Sequence, residues 1–537
     1  MKLNRENLHQ RSWWEAAEIA LPAYDVDAVS ARTVAEPAWA HFGIGNIFRV
    51  FLGGIADRLL NCGAMDRGLT CMECYDTEVV DRIYDPFDNL ALSVILHNDG
   101  CMEKRVLGSM SEAVRAGSGF PEGWARAKEI FASPTLQMVS FTITEKGYAI
   151  RGASGEYFPW LAKELEAGPD HAASAMPVVT ALLLHRYTHG AAPIALVSMD
   201  NCSQNGARFR AAVTETASAW AERGFVPEEF VRWISDENQV AFPWTMIDKI
   251  TPRPGEEVAA KLAALGLEDM APIMTSKNTF IAPFVNAEEP QYLVVEDHFP
   301  NGRPPLEQAG VYMTDRVTVN KSERMKVTAC LNPIHSALAP FGQLLGITLF
   351  SDQIQQPDSL TLARRIGAEG MAVAPDPGIL SPQAFLDECL NVRFPNPNLG
   401  DTVQRLLTDI SQGLIVRFGE TVKAYTARDG DARALRAVPL AIAGWVRYLL
   451  RVDDAGRAYD LSPDPMNEEL TEALKTVRVG DPDSLKDQLK PILGNANLFG
   501  SDLYAAGLGD EIESLVRQML AGLGAVEAVL HRFASES

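Results

Sequence analysis

The sequence predicts an α/β protein of two large domains, a doubly wound N-terminal region followed by a mainly α-helical C-terminal one. Three observations carry the prediction. A glycine turn near residue 43 joins an apolar strand to a helix, and strand and helix patterns alternate from there to about residue 300. Beyond that point the apolar spacing is almost wholly helical. At roughly 150 residues per domain, 537 residues would suit three or four domains, a prior soft enough to allow two large ones.

The elements follow in order. After a leader over 1–35, "AWAHFGIGNIFRVFLGGIADRLLNCG" reads as a short strand, a glycine turn, and a helix with Phe51, Ile55 and Leu59 at helical spacing. "LTCMECYD" supplies the next strand and completes a βαβ unit. "LALSVILH", "LQMVSFTITEKGYAI" and "PIALVSMDNC" are further strands, with "VVTALLLHRYTHG" the helix before the last. Prolines and glycines break the pattern in "EDHFPNGRPPLEQAG", so the domains are expected at 36–302 and 303–537. The second holds the helical segments "IHSALAPFGQLLG", "LTLARRIGAEGM", "DTVQRLLTDISQGL", "LRAVPLAIAGWVRYLLRV" and "DEIESLVRQMLAGLGAVEAVLHRF".

Charge removes several classes of partner. The balance of 48 Lys+Arg against 70 Asp+Glu gives −22, a field that repels phosphate backbones and anionic bilayers. Neither nucleic acid nor a membrane is expected. No apolar run approaches the roughly 20 residues of a membrane span, and the N-terminus lacks the apolar core of a signal peptide. Seven scattered cysteines read as reduced thiols of a cytoplasmic protein. Cys71 and Cys74 form a C-x-x-C, but it lies in a strand and has no second pair, so no metal site is expected. His185 and His189, four apart in "HRYTH", lack an acidic ligand motif and read as structural.

The turn "HFGIGNIFRVF" can cradle a pyrophosphate. Gly43 and Gly45 let the backbone approach it, and the helix N-terminus meets its charge. The third glycine of the full fingerprint is replaced by Phe48. The candidate cofactor set is Gly43, Gly45, Asn46 and Arg49, with Glu73 or Asp76 as the acid that meets the adenosine ribose and favours NAD, NADP being left open. These acids lie about 30 residues on, beyond the usual ~20.

A proton-transfer set stands in "SERMKVTACLNPIHSALAPFG". Asn332–Pro333 reads as cap and first turn of a helix, placing His335 in that turn and Lys326 on a short strand before it. Alcohol oxidation needs such a set: a base for the hydroxyl proton, and amide donors for the developing oxyanion. A lysine base must be neutral, which requires burial or neighbouring positive charge. Two further polar islands, Asp200, Asn201 and Asn205 in "VSMDNCSQNG" and Asp248 in "TMIDKITPRP", stand at strand ends where α/β sites are built. Absence of H-E-x-x-H, P-loop and G-x-S-x-G motifs argues against metalloprotease, NTPase and α/β-hydrolase chemistry.

Taken together, "GIGNIFRVF", "VSFTITEKGY", "VSMDNCSQNG", "TMIDKITP", "VVEDHFPNGRPPLEQAGV", "MKVTACLNPIHSALAPFG" and "NPNLGDTVQRL" resemble the long-chain mannitol dehydrogenase family, which includes the hexuronate reductases. The segments stand in family order from about residue 38 to 425. The resemblance implies a Rossmann-type N-terminal domain, a mostly helical C-terminal one, and metal-independent, NAD(P)-linked oxidation of polyols or aldonates. It also implies roles: Lys326 as general base, Asn201 and Asn332 as oxyanion-side donors, and His335 as a substrate-orienting partner. Asp248 would support the site and Arg405 would bind substrate. A monomer or small homo-oligomer is permitted. The sequence departs from the family twice. Lys326 and Asn332 are six apart where the family has five, and Gly413 stands where many members carry a lysine, with Arg417 or Lys423 as replacements.

The expected function is therefore reduction of a keto-hexuronate resembling fructuronate to its alcohol, with polyol oxidation as the alternative. A methyltransferase sharing the G-x-G turn and a sugar-acid sensor without catalysis are the rivals from other classes.

Overall fold

The computed structural model describes residues 1–152 and 154–536. Its chain divides into two compact units, Met1–Asn320 and the residues from Lys321 onward.

The first unit is built on a six-stranded, wholly parallel sheet. Its strands are β1 (Trp39–Phe42), β2 (Leu69–Glu73), β3 (Met110–Arg115), β4 (Met138–Phe141), β5 (Ile194–Ser198) and β6 (Val240–Ala241), in spatial order β3-β2-β1-β4-β5-β6. This is the dinucleotide-fold order, and it reverses at β1, where a crevice opens between the carboxyl ends of β1 and β4. Each residue of β1, β2, β4 and β5 is buried. Both faces of the sheet are covered, which is why these strands read as continuous apolar runs. Ala40 and Phe42 enter a core with Phe141, Leu182, Phe209 and Trp220. Trp39 enters the opposite one with Phe51, Ile55, Leu59 and Val197. The helices α1 (Gly53–Asn61), α2 (Ala175–Thr188) and α3 (Asn205–Glu222) supply much of this cover.

Three expectations change. The segment 1–35 is no separate leader: Leu3, Trp14, Ile19 and Val26 join a buried cluster with Leu92 and Val94, and Ile19–Ala20 pairs with Met102–Leu107. "LALSVILH" does not enter the parallel sheet. Ala91–Leu96 forms an antiparallel hairpin with Met102–Leu107 through a tight turn at Gly100, within a separate four-stranded sheet. The first unit also extends past residue 303, because Tyr312–Thr314 still pairs in parallel with Tyr292–Glu296. The division at Asn320 falls inside α4 (Arg316–Met325).

In the second unit α4 runs into a wide π-type turn, Lys326–Cys330, and then α5 (Asn332–Leu344). Helix α5 packs on α6 (Pro357–Met371) and on α7 (Ala437–Tyr448), whose twelve residues are all buried. "DTVQRLLTDISQGL" is not one helix. Asp409, at φ +53°, separates Val403–Leu406 from Ile410–Leu414, and a second wide turn follows over Ile415–Gly419.

One side chain fixes the entrances of two central strands. Arg186, 1 % exposed near the end of α2, donates all five N–H groups to backbone carbonyls. The acceptors are Phe131 and Ser133 (2.7 and 2.9 Å), Leu136 (3.1 Å), Ala192 (2.6 Å) and Pro193 (2.9 Å), just ahead of β4 and β5. Burial lowers its pKa to about 10, so it stays charged at neutral pH. Lysine keeps the charge but lacks the planar fork. Arg186→Lys is expected to lower the unfolding free energy by about 3 kcal/mol in urea denaturation.

Candidate active site

At the end of β1 the two glycines have different duties. Gly43 has φ +89°, and a Cβ there would lie 2.1 Å from the Thr142 carbonyl oxygen. Thr142 also holds this strand end, its N–H donating to Phe42 O (2.9 Å) and its hydroxyl to Gly43 O (2.7 Å). Gly45 is open: a Cβ there would meet nothing within 4 Å. The helical run begins at Asn46. Unpaired amides at a helix start beside open space make an anion site.

Phe48 fills the place of the third glycine. Its ring stacks on His41 at 4.0 Å and 11°, and the wide turn Phe48–Leu52 follows. His41 belongs to a single hydrogen-bond chain. The Thr142 hydroxyl hydrogen goes to Gly43 O, so its oxygen accepts from His41 Nε2–H (2.9 Å). His41 Nδ1 then accepts from Ser140 Oγ (2.6 Å), which itself accepts from Trp39 Nε1 (2.7 Å). Burial pushes the His41 pKa well below its usual value, so this wall is uncharged. Sequence reasoning did not single out His41, because a histidine inside an apolar strand carries no motif.

The remaining cofactor candidates divide. Arg49 is 1 % exposed and turned inward, donating to Ala282 O and to Asn46 Oδ1, both at 2.7 Å. Asn46 Nδ2 donates to Phe280 O (3.0 Å). These two side chains therefore brace the turn against 280–282, and the expectation that Arg49 reaches phosphate is corrected. Glu73, at the end of β2, accepts from the amides of Cys74, Tyr75 and Asp76 on one oxygen and from Ile44 on the other, so its carboxylate shapes the loop. Asp76 is different. Its Oδ2 accepts from Thr275 Oγ1 (2.6 Å), while its buried Oδ1 has no hydrogen-bond partner among the described residues. An open cradle at Gly45 and an orphaned carboxylate oxygen past β2 fit a dinucleotide, the first for its pyrophosphate and the second for its ribose.

The polar islands divide in the same way. Asn205 is saturated: Oδ1 accepts from Gly206 and Thr245 amides, and Nδ2 donates toward Ser198 O, Asp200 O and Thr245. Asp200 accepts from the Ile143 and Thr144 amides and the Tyr148 hydroxyl, bracing the loop after β4. Burial raises its pKa. Asn201 is exposed, whereas Asp248 is buried at the end of the strand Thr245–Asp248.

In the second unit, Lys326 is not on a strand. It opens the wide turn after α4, 1 % exposed, and its carbonyl accepts from Leu331 N at 3.1 Å, five residues on. A π turn of this kind accommodates one extra residue in a helix, which accounts for the longer Lys326–Asn332 spacing. Asn332 is not the cap, since Leu331 takes that position without a side-chain bond. The Asn332 Oδ1 is buried without a partner among the described residues, and so is His335 Nε2. The His335 ring sits between Phe350 and Phe394, each 4.8 Å away. Both aromatics were missed by sequence reasoning, as they arrive from separate segments. Burial, then the charges of Arg417, Arg405 and Arg393, drive the His335 pKa down to about 3. Arg405 itself is exposed and paired with Asp401.

Comparison with known proteins agrees with these two halves. The mannitol dehydrogenase Rossmann domain matches residues 38–308, and the mannitol dehydrogenase C-terminal domain matches 318–520. The chain belongs to the mannitol dehydrogenase family and is a Rossmann-type oxidoreductase acting on CH–OH groups. It is 48 % identical over 533 residues to a D-mannonate oxidoreductase of Thermotoga maritima, covering 99 % of this chain and 98 % of that one. It is 29 % identical to a mannitol 2-dehydrogenase of Pyrenophora tritici-repentis, over 96 % of this chain and 84 % of that one. The solved ternary complex of Pseudomonas fluorescens mannitol 2-dehydrogenase with NAD and D-mannitol superposes with a TM-score of 0.70 at 26 % identity, over the whole of both chains.

The glycines separate folding from binding. Gly43→Ala is expected to cost about 3 kcal/mol of stability through its φ and its carbonyl contact. Gly45→Ala should leave the melting temperature unchanged while weakening dinucleotide binding about tenfold, read by NADH fluorescence. For His335 the folded pKa of about 3 lies below the unfolded 6.5. As pH falls from 6.5 toward 3, the unfolded state takes a proton that the native state refuses, so stability is lost on acidification. His335→Gln is therefore expected to lose less stability than the parent between pH 6.5 and 4.

Proposed function

We propose that this protein interconverts a keto-hexuronate of the fructuronate type and its mannonate-type alcohol, using NAD(H) and a lysine acid–base. The observation that carries the reaction type is the turn at α5. A buried lysine precedes a helix start where Asn332 Oδ1 and His335 Nε2 are both buried without partners among the described residues. Buried polar atoms are normally satisfied, so two such atoms in the first turn of the helix that follows the lysine support a hydroxyl-rich ligand there. The substrate class is supported by the 48 % identity to a mannonate oxidoreductase. Polyol oxidation is supported by the lower identity to a mannitol 2-dehydrogenase.

Gly43, Gly45 and the amides from Asn46 would hold the dinucleotide pyrophosphate, with Asp76 on the ribose. A carboxylate there disfavours a 2′-phosphate and so favours NAD over NADP. A nicotinamide held there would supply the hydride chemistry. Lys326 gives its proton to the substrate oxygen in reduction and removes it in oxidation. Burial is the condition such a base requires. The Asn332 amide would hold that oxygen as its charge develops, and neutral His335 would orient a hydroxyl without competing for the proton. Seven cysteines scattered without a regular spacing accord with a reducing, cytoplasmic setting.

The test follows NADH absorbance with D-fructuronate, tagaturonate and fructose, and NAD reduction with mannonate and mannitol. Turnover is expected with fructuronate and mannonate. No turnover with either hexuronate would sink the reading. Lys326→Ala should lower kcat by about 10³ while NADH affinity is retained.

A further inference from the structure

The cations near the Asn332–His335 turn differ in how their charge is answered. Arg405 pairs with Asp401, Lys423 with Glu420 at 3.1 Å, and Arg324 with Glu420 at 3.6 Å. Arg417 does not follow them. It is half-buried, yet among the described residues no carboxylate oxygen lies within 4 Å of its guanidinium, and burial alone pulls its pKa down.

Its seat is nevertheless built. A Cβ on Gly413 would fall 2.6 Å from both Nε and Cζ of Arg417 and 3.0 Å from its nearer terminal nitrogen. The guanidinium thus lies across bare backbone, in space that any side chain at 413 would contest. That same nitrogen donates to Ser336 Oγ at 2.7 Å, and Ser336 is fully buried directly after His335. This is one N–H of five, and among the described residues no other protein acceptor takes the rest. Of the charges that oppose protonation of His335, that of Arg417 acts most strongly, so the guanidinium lies within electrostatic reach of that ring. A half-buried cation without a counter-charge is costly unless a ligand brings one. Carboxylate is the group a guanidinium meets with two parallel hydrogen bonds. In a chain of net charge −22, an unanswered cation is also what an anionic ligand needs to enter.

We propose that Arg417, seated on Gly413 and steadied by Ser336, binds the carboxylate of the substrate and selects sugar acids over neutral polyols. The assignment rests on the reading of Lys326, Asn332 and His335 as the reacting site.

Titration calorimetry of the full-length protein in the presence of NAD, with D-mannonate and with its neutral counterpart D-mannitol, tests it. Arg417→Gln is expected to weaken mannonate binding about 30-fold and to change mannitol binding by less than about twofold, with Arg417→Lys recovering part of the loss. Gly413→Ala keeps the charge but dislodges it, and should weaken mannonate in the same direction. In turnover, KM for fructuronate should rise with kcat nearly constant, and that KM should lose its dependence on salt in Arg417→Gln. Unchanged mannonate affinity in folded Arg417→Gln, or equal loss for mannonate and mannitol, would overturn the proposal. Should Arg417→Gln fail to fold, unchanged mannonate affinity in both Gly413→Ala and Arg417→Lys overturns it instead. If the parent protein binds mannitol but no sugar acid, the keto-hexuronate reading itself fails, and the role of Arg417 falls with it.

Discussion

Five backbone carbonyls at the entrances of β4 and β5 converge on Arg186, and the first unit depends on that convergence. Strand β4 lies beside β1, so its placement sets where Thr142 leaves the sheet. Thr142 in turn presses its carbonyl against Gly43 and ties its hydroxyl to the same residue. The turn that opens the crevice is thereby fixed from the neighbouring strand and not by its own sequence alone. Phe48 is tolerated where a third glycine is usual because His41, held neutral by Ser140 and Thr142, offers a flat ring to stack on. The wide turn beginning at Phe48 then carries the chain on into α1.

Hydrogen-bond satisfaction sorts the polar residues more sharply than their type does. Asn205 and Asn332 are both asparagines at the start of a helix. The first uses its donors and acceptor within the fold, whereas the second leaves its buried oxygen without a partner among the described residues. Glu73 and Asp76 differ similarly, one occupied by four amides and the other with a buried oxygen that none of the described residues meets. A fold does not leave such atoms dry without cost.

Much of this was legible in the sequence. Four of the six parallel strands declared themselves because burial on both faces makes them largely apolar, and Gly43 and Gly45 marked the turn; the half-buried, charged Met110–Arg115 and the two-residue Val240–Ala241 did not show. The helical character of the second unit followed from spacing. What failed to show was long-range. Nothing local in Ile19–Ala20 announces a partner some 85 residues away at Lys104, so the first 35 residues looked detached. Nothing in Arg49 distinguishes a phosphate ligand from a brace to Ala282 O. Lys326 was misplaced on a strand because "MKVTAC" has β-branched and apolar residues at short range, while packing of the turn on α5 and α6 holds it helical. Phe350 and Phe394, which pack around His335, and Ser336 beside it carry no motif and were not legible.

The wide turns have a consequence for comparing this chain with its relatives. Phe48–Leu52, Lys326–Cys330, Cys389–Arg393 and Ile415–Gly419 each hold a basic residue discussed above, and each closes its hydrogen bond over one residue more than an α-turn. Such a turn takes in an insertion without breaking the helix that contains it. Two homologous helices can therefore stay in phase on one side of the turn and differ by one position on the other, with no gap in a loop to betray it. Counting residues from a shared motif will then assign the wrong neighbour. Alignments across these four segments should be anchored on both flanks, with the slip allowed in the middle.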